Sequence, residues 1–152
     1  MTPPPYFLNV DLDIESAAPL DALAADFGKR VSIMFAGRMN RRHCLYVEIR
    51  RGRGPDGIIN AFCALVEGLP PKSRRLWNAA RRKEFDIGFE ARLSSHRANR
   101  FSIPPSSLQR VTRLGASVAV TMYREDRAEP CASTGRRGSA SVSNGRSLPR
   151  RR

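Results

Sequence analysis

Hydrophobic and polar side chains alternate with a period of two over residues 6 to 15. One side of this segment carries Leu8, Val10, Leu12 and Ile14, and the other side carries Asn9, Asp11, Asp13 and Glu15. Successive side chains of a β-strand point to opposite faces of a sheet. The pattern therefore predicts a first strand with one buried face and one solvated, acidic face.

Similar alternation predicts further strands near residues 31 to 35, 45 to 50, 84 to 91 and 118 to 122, and residues 101 to 103 allow a short additional one. In the second and last strands, the side chains expected to face the core are Val31, Ile33, Phe35, Val118, Val120 and Met122. The polar segment 37 to 42 predicts a turn, which makes the second and third strands a hairpin.

Between the strands, apolar residues recur three and four positions apart, which is the spacing of an amphipathic helix. This spacing predicts helices near residues 20 to 27, 58 to 69 and 105 to 114. Pro70-Pro71 ends the second of them, because proline lacks the backbone N–H that a helix interior needs. A further helical piece passes through Trp77.

The resulting order, βαββαβ followed by αβ, predicts an α+β fold: a ferredoxin-like unit with an additional C-terminal helix and strand. We expect residues 1 to 126 to form this single domain. Residues 127 to 152 are rich in arginine, serine and glycine and contain few large apolar side chains, so burial cannot offset the entropy lost on ordering them. The prediction for them is a disordered basic tail.

The domain resembles a family of small, single-domain bacterial proteins described only as a domain of unknown function. The resemblance covers residues 6 to 124 and is carried by the first strand from Tyr6 to Ile14, Leu69-Pro70-Pro71, Leu76-Trp77, Phe85-Asp86-Ile87-Gly88, and Leu114-Gly115-Ala116 with Val118, Val120 and Tyr123. It implies an α+β fold and supplies no activity, cofactor or site residue.

The cysteine count and the N-terminal sequence bear on the compartment. Cys44, Cys63 and Cys131 are odd in number and far apart, so they match neither a disulfide framework nor the spacing of metal ligands. No basic segment followed by an apolar one opens the chain, and no stretch approaches the roughly 20 apolar residues of a membrane-spanning helix. We expect a reduced, cytoplasmic protein that does not associate with a membrane.

The charge makes nucleic acid a candidate partner. Arginine and lysine outnumber the acids by 27 to 14, for a formal net charge of +13. The arginines selected as candidates for nucleic-acid or anion binding are Arg41, Arg42, Arg51, Arg53, Arg81 and Arg82. Because the acidic strand faces would repel phosphate, we expect such binding to be non-specific and to use loops, helices and the tail.

The strand-borne carboxylates offer a second kind of chemistry. Asp11, Asp13 and Asp86 are candidates for holding a divalent metal or for acid–base work. If the first and fourth strands are neighbours, these acids share a face, and Arg50, Arg92 or an ion must relieve their repulsion. The alternative is an ordinary solvated sheet face.

The sequence contains no complete catalytic signature, and we expect no cofactor. The reading favoured is a non-enzymatic binding or interaction module with a protein partner that the sequence does not identify. Two alternatives stay open: a non-specific nucleic-acid-binding protein that uses its arginine clusters, and a metal-dependent enzyme that uses the strand carboxylates.

Overall fold

A computed structural model of the chain describes residues 6 to 49, 54 to 91 and 100 to 124. Its elements are β1 (Tyr6–Ser16), α1 (Asp21–Phe27), a 3-10 turn (Gly28–Arg30), β2 (Ser32–Met39), β3 (Arg42–Glu48), α2 (Gly54–Glu67), α3 (Pro71–Ala79), β4 (Arg82–Ala91), α4 (Pro105–Arg113) and β5 (Ser117–Arg124). The predicted tail, residues 127 to 152, lies outside the described residues.

The five strands form one mixed sheet in the order β2-β3-β1-β4-β5. The central strand β1 pairs antiparallel with β3 and β4, β2 pairs antiparallel with β3, and β5 pairs parallel with β4. Parallel neighbours need a crossover connection, and the segment between β4 and β5 that contains α4 provides it. The predicted α+β class is confirmed in the described ranges, where the sheet is accompanied by four helices.

The helices cover one face of the sheet, and the hydrophobic core lies between. Leu12 of β1 and Phe85 of β4 are fully buried there, and Phe62 of α2 packs on Phe85 with ring centroids 5.8 Å apart. Burial of a side chain of this size contributes about 1.5–3 kcal/mol. We call the opposite face, which carries the alternate residues of each strand, the open face.

Trp77 joins α3 to the end of α4. Its side chain is fully buried, and its indole Nε1 donates a hydrogen bond of 2.9 Å to the carbonyl of Leu114. The next residue, Gly115, has a φ of +67°, a left-handed conformation that glycine adopts without steric cost. Gly115 therefore follows the end of α4, close to residue 114, where the apolar spacing predicts that the helix ends.

The structure corrects the prediction for β2. A bulge between Ile33 and Phe35 shifts the register, so that Ile33 lies opposite Val47 but Phe35 lies opposite Tyr46. One extra residue reverses the alternation of a strand, so the two side chains lie on different faces of the sheet. Phe35 belongs to the open face, and its ring centroid lies 5.6 Å from that of Tyr46.

The predicted turn at residues 37 to 42 is too long. β2 extends to Met39 and β3 begins at Arg42, which leaves Asn40 and Arg41 as the loop. Their φ angles are 49° and 67°, and a two-residue hairpin loop with positive φ at both positions follows the twist of its strands. Asparagine tolerates this conformation, but arginine adopts it rarely, which is why the sequence does not reveal the loop.

The two C-terminal strand predictions have different outcomes. Val118, Val120 and Met122 lie on the predicted side of β5, in register with the apolar positions of β4. Val120 and Met122 are nevertheless 60% and 53% exposed, because β5 is an edge strand that the described helices leave largely uncovered. Residues 101 to 103 form no strand, and Phe101 packs on Phe89 with ring centroids 5.2 Å apart.

Candidate functional site on the open face of the sheet

The open face gathers acids that the sequence distributes over three strands. The pairing of the strands places Asp11 between Glu48 of β3 and Asp86 of β4, and places Asp13 opposite Glu84. Cβ atoms of directly opposed residues lie about 4.5–5.5 Å apart. The prediction that acids of the first and fourth strands share a face is therefore confirmed. In the described ranges these acids are Asp11, Asp13, Glu15, Glu48, Glu84, Asp86 and Glu90.

Two guanidinium groups neutralise one end of this face, which we call the arginine end: Glu15, Glu84, Arg42 and Arg82. Arg82 Nη1 lies 3.0 Å from Glu15 Oε1, and Arg42 Nη1 lies 3.1 Å from Glu15 Oε2. Arg82 also forms an ion pair with Glu84. Glu15 thus accepts hydrogen bonds from Arg42 and Arg82, and Arg82 donates hydrogen bonds to both Glu15 and Glu84.

The pKa values at the arginine end follow from these contacts. The hydrogen bonds from Arg82 and Arg42 lower the pKa of Glu15, and the hydrogen bond from Arg82 lowers that of Glu84. Hydrogen bonds to Glu84 and Glu15 raise the pKa of Arg82 in turn. Each group is stabilised in its charged form, as expected for ion pairs with good geometry.

We call the other end of the face the carboxylate end: Asp11, Glu48 and Asp86. Asn9 Nδ2 donates to Glu48 at 2.9 Å and to Asp11 at 3.4 Å, and the Thr121 hydroxyl donates to Asp86 at 2.7 Å. The described donors to Asp11 and Asp86 are thus neutral side chains, which orient these two carboxylates without cancelling their charge.

The electrostatics of Asp11 reflect that difference. Partial burial, followed by the charges of Asp13, Glu48 and Asp86, raises the pKa of Asp11 from 3.8 to about 6. Burial also raises the pKa of Asp13, although Arg82 at 3.8 Å opposes the change. Burial and the neighbouring carboxylates disfavour the ionised form of these two side chains, so a positive charge bound here would be stabilised.

Aromatic rings lie beside the acids. Tyr46 lies opposite Asp13 on β3, and burial together with a hydrogen bond to Cys44 raises its pKa to about 12, so its hydroxyl stays protonated. Tyr123 of β5 crosses Gly88, where an added Cβ would lie 3.3 Å from its ring. The sequence analysis did not place Tyr123 or Phe35 on this face, because their placement depends on the bulge in β2 and on the neighbour of β5.

The structure separates the arginines predicted to bind nucleic acid or anions. Arg42 and Arg82 lie on the open face, where carboxylates bind their guanidinium groups. Arg41 lies in the β2–β3 loop, and Arg81 is exposed just before β4. Arg51 and Arg53 lie outside the described residues, as do Arg50 and Arg92, the arginines predicted to relieve repulsion among the acids. The described residues give that role to Arg82 and Arg42.

The metal candidates Asp11, Asp13 and Asp86 do share the open face. Within the described ranges, however, no group of three or more histidine, cysteine or acidic side chains is arranged to hold a metal ion. Asp11 and Asp13, as alternate residues of one strand, lie about 7 Å apart, which is far for carboxylates that must approach one ion to within about 2.5 Å.

Comparisons with known proteins identify no relative of this chain. The chain matches no protein-family model, no curated protein and no solved structure. Among the helices of the described ranges, none is long and apolar enough to cross a membrane.

Proposed function

We propose that this chain is a non-enzymatic binding module that holds a cationic segment of a partner protein on its open face. The observation that supports the proposal is the pair Asp11 and Asp86 at the carboxylate end, where partly buried acids face each other and neutral groups supply their described hydrogen bonds. A bound arginine or lysine would replace repulsion with attraction in partly desolvated surroundings, where charges interact more strongly than in water.

The period of the face suits an extended peptide. Asp11 and Asp13 lie at alternate residues of β1, about 7 Å apart. A partner segment in extended conformation with a base at every second position has the same period. The rings of Tyr46 and Tyr123 flank this row and can stack on guanidinium groups, which favours arginine over lysine.

The proposal includes the finer description of the fold and of the compartment. The order β2-β3-β1-β4, with antiparallel pairing throughout these strands, supports a ferredoxin-like unit to which α4 and β5 are added. Cys44 and Cys63 are free thiols, which supports a reducing, cytoplasmic location. Membership of the family of unknown function that the sequence resembles is also part of the proposal.

A metal-dependent enzyme has weaker support. It needs carboxylates that converge on one ion, whereas the acids of the open face follow the spacing of the strands. The half of the face that contains Arg82 and Arg42 is also already neutralised by internal ion pairs. Binding of a cationic segment needs only the distributed charge that the described residues display.

The test is fluorescence anisotropy of a labelled peptide of about ten residues, with arginine and serine alternating, titrated with the full chain at low salt. We expect saturable binding, and we expect Asp11→Asn and Asp86→Asn each to raise the Kd about tenfold, equivalent to about 1.4 kcal/mol. The matched control is Asp21→Asn, an exposed acid at the start of α1, which should leave the Kd within about twofold.

Two results would contradict the proposal. One is a parent chain that does not bind the arginine peptide. The other is an equal loss of affinity in the Asp21→Asn control, because it would assign the binding to overall charge and not to the open face.

A further inference from the structure

Basic side chains converge on the helix side of the molecule, around α3. This helix carries Lys72, Arg74 and Arg75 within its nine residues, and it contains no acid. Lys72 and Arg75 are exposed, while Ser73 and Trp77 face the interior. The charged side chains of α3 are therefore all positive.

The end of α4 adds to this surface. The hydrogen bond from Trp77 to the carbonyl of Leu114 holds the two helices together at this point. Arg113, which is exposed, immediately precedes Leu114, and Arg74 lies one helical turn before Trp77. Tertiary structure thus brings together two arginines that are far apart in the sequence.

Glu67, at the end of α2, is an acid among these arginines. Arg110 binds it through two hydrogen bonds of 3.0 and 2.6 Å and also donates to Asn60 at 2.7 Å. The pKa of Glu67 is lowered chiefly by the hydrogen bond from Arg110, with smaller contributions from the charges of Arg74 and Arg113. Positive charge remains after this one carboxylate is neutralised.

A third segment joins on the other flank of α3. The Ser73 hydroxyl donates to the carboxylate of Asp26, at the end of α1. Arg30 Nη2 donates to the carbonyl of Asp26 at 2.7 Å. This places the exposed Lys29 and Arg30 beside the first turn of α3. Asp26 is an acid on this flank whose described side-chain donor is a neutral hydroxyl, unlike Glu67, which Arg110 pairs.

We propose that this surface binds the phosphate backbone of nucleic acid. Its residues, here named the basic surface, are Lys29, Arg30, Lys72, Arg74, Arg75, Arg110 and Arg113. A polyanion matches a positive surface built from three segments and gains affinity by releasing its counterions. The open face, which is acidic, lies on the opposite side of the sheet. The electrostatic field of the protein therefore orients the protein with its helix side toward the polyanion.

Contacts of this kind position a protein on nucleic acid without reading its sequence. The mode of binding is the non-specific one that the sequence leads us to expect, but the basic surface contains none of the selected candidates Arg41, Arg42, Arg51, Arg53, Arg81 and Arg82. It is also independent of the proposed function, since it uses the other side of the molecule.

The test is fluorescence anisotropy of a labelled duplex DNA of about 20 base pairs, titrated with the full chain across a salt series. We expect the variant Arg74→Gln/Arg75→Gln/Arg113→Gln to raise the Kd about tenfold or more. For each phosphate that the variant no longer neutralises, the slope of log K against log salt should become shallower by about 1. The variant retains Arg110 and thus the ion pair with Glu67.

The matched control is Arg38→Gln/Arg41→Gln, which removes two exposed arginines of the β2–β3 hairpin and should change the Kd little. If the triple variant does not fold, Lys72→Gln/Arg75→Gln applies the same test at two exposed positions, with an expected loss of about threefold. Unchanged affinity in the variants of the basic surface, or an equal loss in the hairpin control, would overturn the proposal. So would binding to anionic lipid vesicles that is as tight as binding to the duplex.

Discussion

The two ends of the open face contain the same kind of acid but shift the pKa of its carboxyl group in opposite directions. At the arginine end, Arg82 and Arg42 lower the pKa of Glu15. At the carboxylate end, burial and neighbouring acids raise the pKa of Asp11 to about 6. The difference arises from position, because both arginines lie at the end of the sheet where β3 and β4 begin. The acids are neutralised at that end, whereas the acids along the rest of β1 repel their neighbours.

Natural proteins usually break a local rule of stability where a site requires it. An isoleucine or threonine at position 11 would remove the repulsion. Asp11 therefore lowers the free energy of unfolding without an evident benefit to the fold. The arginine end shows that the chain can neutralise such acids when the fold alone is concerned. This contrast is the reason for placing the ligand at the carboxylate end.

The largest effect is expected from Arg82→Ala, which should make the two ends alike. Arg82 contacts Glu15, Glu84 and Asp13, so its loss leaves three acids with less countercharge. We expect the free energy of unfolding at pH 7 to fall by about 1–2 kcal/mol, a range that allows for the 42% exposure of the Arg82 side chain. Urea denaturation measures this change.

The control for Arg82→Ala is its neighbour. Arg81 is exposed, and its backbone N–H donates to the carbonyl of Glu15, an interaction that Arg81→Ala retains. Arg81→Ala should change the free energy of unfolding by less than about 0.5 kcal/mol. Equal destabilisation by the two variants would show that the ion pairs of Arg82 contribute nothing specific.

The next effect is a stabilisation, from Asp11→Asn at the carboxylate end. With a raised pKa, folded Asp11 binds a proton between about pH 6 and 4, where the unfolded chain has released it. The stability from this group is therefore lost as the pH rises through 6. Asparagine removes the cost, so the variant should be about 1 kcal/mol more stable than the parent at pH 8 and equal to it below pH 4.

The smallest effect is expected from Glu84→Gln at the arginine end, with the opposite sign. The pKa of Glu84 is lowered, chiefly by Arg82, so its contribution is present above pH 4.5 and is lost as the pH falls through the lowered value. The variant should be about 0.5 kcal/mol less stable than the parent at pH 8 and equal to it in strong acid. If Glu84→Gln and Asp11→Asn changed stability in the same direction at pH 8, the contrast between the ends would be wrong.

The sequence reveals those parts of the fold that depend on local periodicity. The alternation over residues 6 to 15 predicted β1 to within one residue and predicted its acidic face, and the apolar spacing up to residue 114 predicted the end of α4, because each signal is contained in a few consecutive residues. The bulge in β2 and the exposure of Val120 lie beyond such signals. They depend on pairing between strands and on which strand becomes an edge.

The candidate sites show the same division. Asp11, Asp13 and Asp86 were predicted to share a face once β1 and β4 were taken as neighbours. The ion pairs of Arg42 and Arg82 were missed, because both residues resemble exposed bases in a basic chain. The convergence of Arg74 and Arg113 on one surface could not be predicted either, since it depends on the contact between Trp77 and Leu114 and on their shared neighbour Glu67.

The most direct test of the account is a carbon-13 NMR titration of the Asp11 carboxyl group in the full chain, first free and then saturated with the arginine–serine peptide. We expect a pKa of about 6 in the free protein. We expect a decrease of about one unit or more in the complex, because a bound cation favours the ionised carboxylate. A pKa near 3.8 in the free protein, or a raised pKa that the peptide leaves unchanged, would contradict the account.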